Sequence, residues 1–195
     1  MTARPQSLVA LALLAATGCA FRILPPEKGI DGLPPSPPII VTLTNLHPDD
    51  GFERLYAANF QQPGLIPVCS EVTLLMMFTD KMYFRVNDTG KEYWYLDYDA
   101  AQEPLHTNLS HYFGENCPKA QLDALSEVEK EAVRLGIPKK GMRKPALILA
   151  IGYPLRRDTP NLDDTTWRYW VSRFSAFIVH FDANGVVDQV VYEGE

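Results

Sequence analysis

From Val68 through the middle of the chain, apolar stretches of strand length follow one another, separated by polar turn residues. Val72 to Phe78, Met82 to Val86 and Glu92 to Tyr98 read as strands, and Asp88-Thr89-Gly90-Lys91 supplies turn chemistry between the last two. Ile39 to Leu46 is rich in β-branched residues and predicts an earlier strand. Asp49 to Phe60 is expected to form a short helix, ended by Gln61-Gln62-Pro63-Gly64, and Leu105 to Phe113 a second one.

From Lys119 onward the pattern changes. Ser126 followed by Glu129 is a capping box for a helix running to about Leu135, with Gly136 as its stop. Gly141-Met142 leads into a further helix that tolerates Pro145 only in its first turn, and Gly152-Tyr153-Pro154 ends it. Thr166 to Ser172, Phe174 to Phe181 and Val186 to Tyr192 then predict three strands. Asp182-Ala183-Asn184-Gly185 is a hairpin signal between the last two. The order predicts an α+β fold: a helix–helix–three-strand antiparallel unit (119–195) preceded by a small β-rich unit (39–118).

The front of the chain has a different pattern. Arg4, an apolar run from Leu8 to Ala16 and small residues before Cys19 make a secretory leader over residues 1–18. Ala16-Thr17-Gly18-Cys19 resembles a bacterial lipobox, which implies cleavage before Cys19 and acylation of its sulfur. Cleavage after Ala20 is the alternative. The apolar run is too short to remain as a spanning helix, which needs about 20 residues. Residues 19–38 carry six prolines (Pro25, Pro26, Pro34, Pro35, Pro37 and Pro38), so they suit a tether reaching roughly 50 Å. A leader with no required length fits the same composition.

Composition narrows the function classes. The chain is 46% hydrophobic and 22% charged, with a formal charge of −6, which argues against a nucleic-acid binder. With Cys19 lipidated, Cys69 and Cys117 remain as an even pair for an oxidising compartment. A disulfide there would close about 49 residues and add roughly 4 kcal/mol of stability; two buried thiols are the other reading.

Gly141-Met142, the helix through Leu149, Gly152-Tyr153-Pro154, Trp167-Arg168-Tyr169-Trp170 and Phe181-Asp182 before a glycine turn resemble the SmpA/OmlA family. These are small outer-membrane lipoproteins of the BamE type. The resemblance covers about Ser126 to Tyr192, and the preceding cysteine-bracketed unit departs from the family layout. It implies a BamE-like C-terminal domain, lipid anchorage at the periplasmic face of the outer membrane, and a scaffold or binding role toward an envelope or outer-membrane protein.

The aromatic strand is the candidate surface. Alternation puts Trp167 and Tyr169 on one face, with Arg168 and Trp170 on the other. The next strand is apolar on both faces, so either the β-rich unit or an external partner is expected to cover the second one. Trp167, Trp170 and Arg173 are the candidate anchors, with Arg156 and Arg157 in the preceding charged loop, itself equally readable as a solvated connection.

No cofactor is expected. Asp182, Asn184 and Glu193 fall on an EF-hand template, but Val187 occupies the position that needs glycine. His106 and His111 lie near Cys117 without a one-face helical spacing for zinc. Neither a nucleophile elbow nor a phosphate loop is present, so the chain reads as non-enzymatic. A periplasmic inhibitor or ligand-binding module is the alternative by fold analogy, and an envelope hydrolase would need a cleft with two carboxylates of separated pKa.

Overall fold

The computed structural model describes residues 39–193, so the leader, Cys19 and the proline-rich segment lie outside the described residues. Strands β1 (Ile39–Thr42), β2 (Arg54–Tyr56), β3 (Glu71–Met77), β4 (Lys81–Val86) and β5 (Glu92–Leu96) come first. Helix α1 (Leu105–Tyr112) and the two-residue strand β6 (Phe113–Gly114) complete a six-stranded sheet of order β2-β5-β4-β3-β1-β6. Pairing is antiparallel except for β2, which runs parallel to β5. Helices α2 (Lys119–Asp123), α3 (Glu127–Leu135) and α4 (Lys144–Ile151) precede a three-stranded antiparallel sheet, β7 (Thr166–Trp170), β8 (Ala176–Phe181) and β9 (Val187–Glu193). The fold is α+β, as the patterning predicts.

Two expectations need correction. Residues 49–60 form a turn and β2 rather than a helix, because the Asp49 carboxylate accepts from the backbone N–H groups of Gly51 and Phe52 and fixes a local turn. Leu55 then points into the core between Arg54 and Tyr56, which is strand periodicity. Phe174 and Ser175 belong to a tight turn, closed by Val171 N–H donating to Ser175 O, and β8 begins only at Ala176.

Each sheet has its own core. Ile40, Val72, Met82, Phe84, Tyr93, Tyr95, Leu109 and Phe113 form the first cluster under the six-stranded sheet. Met142, Leu147, Ala150, Trp167, Tyr169, Phe177 and Val179 form the second, between helices and the smaller sheet. Leu155 crosses over and is buried in the first cluster. The Cys69–Cys117 disulfide is present; it joins the entrance of β3 to the segment after β6, across β1.

The capping box at Ser126 and Glu129 forms, and Gly136 takes the left-handed C-cap conformation. Glu129 does more than cap. It also accepts from the Arg143 backbone N–H and guanidinium, and chiefly this hydrogen bonding holds its pKa down to about 2.

The halves meet at the C-termini of α3 and α4, where carbonyls lack intrahelical partners. Asn45 N–H donates to Leu149 O, and its side-chain Nδ2 donates to Val133 O at 2.6 Å and Ala150 O at 3.0 Å. Asn59 Nδ2 donates to Ile151 O and Tyr153 O, both at 2.8 Å, and Gln61 Nε2 also reaches Ile151 O. Tyr169 Oη donates to Gly152 O at 3.0 Å. Side chains from the first half thus close helix ends in the second.

The β-rich unit therefore docks on helix ends, and it reaches the second face of the small sheet at Trp170. On that face Arg168 pairs with Glu193, Ile178 and His180 are half-buried, and Trp170 packs against the first cluster. The helix-end carbonyls explain the docking, since burying them without donors costs about 1–3 kcal/mol each.

Candidate functional site

β7 delivers Trp170 to the seam between the halves. Gln61 N–H donates to Trp170 O at 2.8 Å and Gln62 Nε2 donates to Val171 O, so a loop of the first half fixes the end of this strand. The indole Nε1 donates to Asp158 Oδ2 at 2.7 Å, and the Arg168 guanidinium lies 4.7 Å over the ring. Arg157 Nε donates to Asp158 Oδ1 at 3.1 Å. Burial favours the neutral Asp158 carboxyl, but hydrogen bonds from Arg157 and Trp170 and the charges of Arg157 and Arg168 outweigh it and hold the pKa low. Asp158 is thereby the ionised pivot that orients both the indole and Arg157.

Beside Trp170 stands a cluster of three rings from the first half. Phe60 meets Tyr98 at 5.4 Å and Tyr56 at 5.6 Å, and Tyr56 meets Tyr98 at 6.1 Å, all edge to face. Arg54 extends the row, its guanidinium 4.3 Å from the Phe52 ring and 5.5 Å from that of Tyr56. Its Nε is buried with no hydrogen-bond partner among the described residues.

Two adjoining hollows share Phe60 and Arg173. One, of about 150 Å³, is lined by Phe60, Tyr98, Leu155, Arg157, Trp170 and Arg173. The other, of about 200 Å³, runs past Arg54 and Tyr56. Phe174, 93% exposed, sits at the tip of the β7–β8 turn next to Arg173, and Phe52 is 68% exposed at the far side. An arginine-studded aromatic surface on an acidic chain has the composition of protein-interaction hot spots.

The structure brings Trp170, Arg173 and Arg157 together on this surface. Trp167 is not there. It is 1% exposed, packs edge-on to Phe181 at 4.9 Å and lies under the Lys144 ammonium, so it is a core residue. Its burial follows from facing the helices, the side of β7 shared with Tyr169. Arg156 lines a different cleft. Cys69 and Cys117 are bonded to each other. Asp182 serves its own hairpin, accepting from the backbone N–H groups of Asn184 and Val186.

Sequence reasoning missed Arg54, Tyr56, Phe60 and Tyr98. They are single aromatic or basic positions in loops and on a short edge strand, more than 70 residues before Trp170 in the chain. No local spacing links them; only the docking of Gln61 onto β7 does.

The chain matches no family model, no curated protein and no solved structure.

Proposed function

We propose that this chain is an outer-membrane lipoprotein, anchored through Cys19 at the periplasmic face, that binds an envelope protein through the Trp170–Arg173 surface as a non-enzymatic scaffold. The observation that carries the reading is the convergence of Trp170, Arg157 and Arg173 with Phe60, Tyr98 and Tyr56 around shared hollows, flanked by two large exposed phenylalanines. A partner offering carboxylates and apolar side chains complements it, because Arg173 and Arg54 would gain anionic partners while the rings lose water.

The disulfide supports an oxidising compartment. The lipobox-like leader supports export and anchorage, and the run α3, α4, β7, β8, β9, which follows the additional short helix α2, is consistent with the SmpA/OmlA resemblance and its BamE-like domain. The tether at 19–38 would set the working distance from the membrane.

The test is co-purification from detergent-solubilised envelopes. The wild-type chain is expected to retain an outer-membrane protein that Arg173→Glu and Phe174→Ser both lose, while both variants keep wild-type unfolding midpoints. Retention by both variants would place the interface elsewhere.

A further inference from the structure

A second concavity, separate from the Trp170 surface, lies between α1 and the α4–β7 connection. It encloses about 250 Å³, with Glu103, Asn108 and His111 on one side and Tyr153, Leu155 and Arg156 on the other. We propose that this cleft binds a free α-amino acid with an apolar side chain, its ammonium on Glu103 and its carboxylate on Arg156.

Glu103 carries the argument. Its side chain is only 9% exposed, yet it is held as an anion. Burial pushes its pKa up, but hydrogen bonds from His111 and Asn108 and the nearby charges of His111 and Arg156 more than reverse that. Its orientation is fixed by a relay. Tyr95 Oη donates to Asn108 Oδ1 at 2.7 Å, which leaves Asn108 Nδ2 to donate to Glu103 Oε1 at 2.6 Å and to Ala57 O at 3.2 Å. His111 Nε2 lies 3.5 Å from Oε2. Two of the roughly four acceptor positions of the carboxylate are therefore used, and the others remain for a ligand.

A buried anion in an aromatic wall selects a cation. The His111 and Tyr153 rings stand 4.8 Å apart and Tyr112 meets Tyr153 at 6.1 Å, so aromatic surface flanks the space beside Glu103. A plain amine does not complete the site, because Arg156 lines the same cleft, exposed and near enough for its charge to act on Glu103. Its guanidinium is suited to a carboxylate, which it grips through two parallel hydrogen bonds. One anion and one cation in one small cleft match a zwitterion. Leu155, Leu162, Pro154 and Pro160 provide the apolar remainder of the wall. The volume is below the range for drug-sized ligands, about 300–1,000 Å³, which favours a molecule of amino-acid size.

The cleft contains a single carboxylate among its lining residues, so the paired-acid arrangement of a glycosidase is not what it presents.

The experiment is calorimetric titration of the full-length protein in detergent with leucine, methionine and phenylalanine in both hands. Isoamylamine and 4-methylpentanoate serve as single-charge relatives of leucine. At least one amino acid is expected to bind one-to-one, with each single-charge relative at least tenfold weaker. Glu103→Gln and Arg156→Gln should each weaken binding at least tenfold. Arg156→Gln removes an exposed side chain, so it remains informative if Glu103→Gln lowers stability. Absence of binding by all six amino acids, isoamylamine binding as tightly as leucine, or unchanged affinity in Arg156→Gln would overturn the proposal.

Discussion

Asn59 and Gly152 fit together only because Gly152 has no side chain. A Cβ there would come within 2.8 Å of Asn59 Nδ2 and 2.9 Å of the Tyr112 ring. The backbone at Gly152, φ 74° and ψ −168°, also lies in a region that is essentially glycine-only. The closeness has a purpose, because Asn59 must reach past Gly152 to the carbonyls of Ile151 and Tyr153. Gly152→Ala is therefore expected to destabilise the protein by about 3 kcal/mol or more, combining backbone strain with overlap. Urea unfolding measures it, and a cost under about 1 kcal/mol would mean that the halves separate easily.

Asn45 closes the ends of two helices at once. Its Nδ2 serves Val133 O of α3 and Ala150 O of α4, while its Oδ1 accepts from Val68 N–H at 2.8 Å. Asn45→Ala strands several buried groups together. The expected loss is about 3 kcal/mol, at the upper end for one hydrogen-bonding side chain, since the orphaned groups stay buried. Equilibrium unfolding followed by tryptophan fluorescence gives the value.

The Glu129–Arg143 pair predicts an acid limb. The folded pKa of Glu129, about 2, lies below its ordinary 4.5, so its contribution is complete above pH 4.5 and is lost as pH falls toward 2. The contribution is about 2 kcal/mol, because half-exposed Arg143 is partly screened by water. Glu129→Gln keeps an oxygen for the capping box but removes the charge. The variant should be less stable at pH 7 and show a flatter stability profile between pH 4.5 and 2. Parallel profiles for both proteins would contradict this.

Much of the second half is legible in the sequence. Its helix boundaries follow from a capping box, from a proline confined to a first turn and from glycines at helix ends. The hairpins at 86–91 and 181–187 were equally readable, since Asp182 and Gly90 meet local needs. What was not legible is long-range. Parallel β2 depends on β5, which follows some 40 residues later, and nothing within Arg54–Tyr56 announces it. The Phe60–Tyr98–Trp170 grouping and the Glu103–Arg156 cleft likewise exist only once α4's open carbonyls have drawn Asn45, Asn59 and Gln61 to them. Trp167 and Trp170 shared a pattern, but sheet face alone decided which became core.

Cys69 and Cys117, 48 positions apart, cross-link the first unit across β1. Reduction, or Cys69→Ser with Cys117→Ser, is expected to lower stability by about 4 kcal/mol through the unfolded state. The measurement is the shift in unfolding midpoint with and without reductant, and no shift in the double-serine variant upon reduction is the control.

The most direct test of partner recognition is site-specific photocrosslinking in intact cells from a benzoyl-phenylalanine placed at Phe174, with the same probe at exposed Asp163 as control. The account predicts one discrete adduct with an envelope protein from position 174, absent from position 163 and abolished by Arg173→Glu in the same chain. No adduct at 174, or the same adduct from both positions, would contradict it.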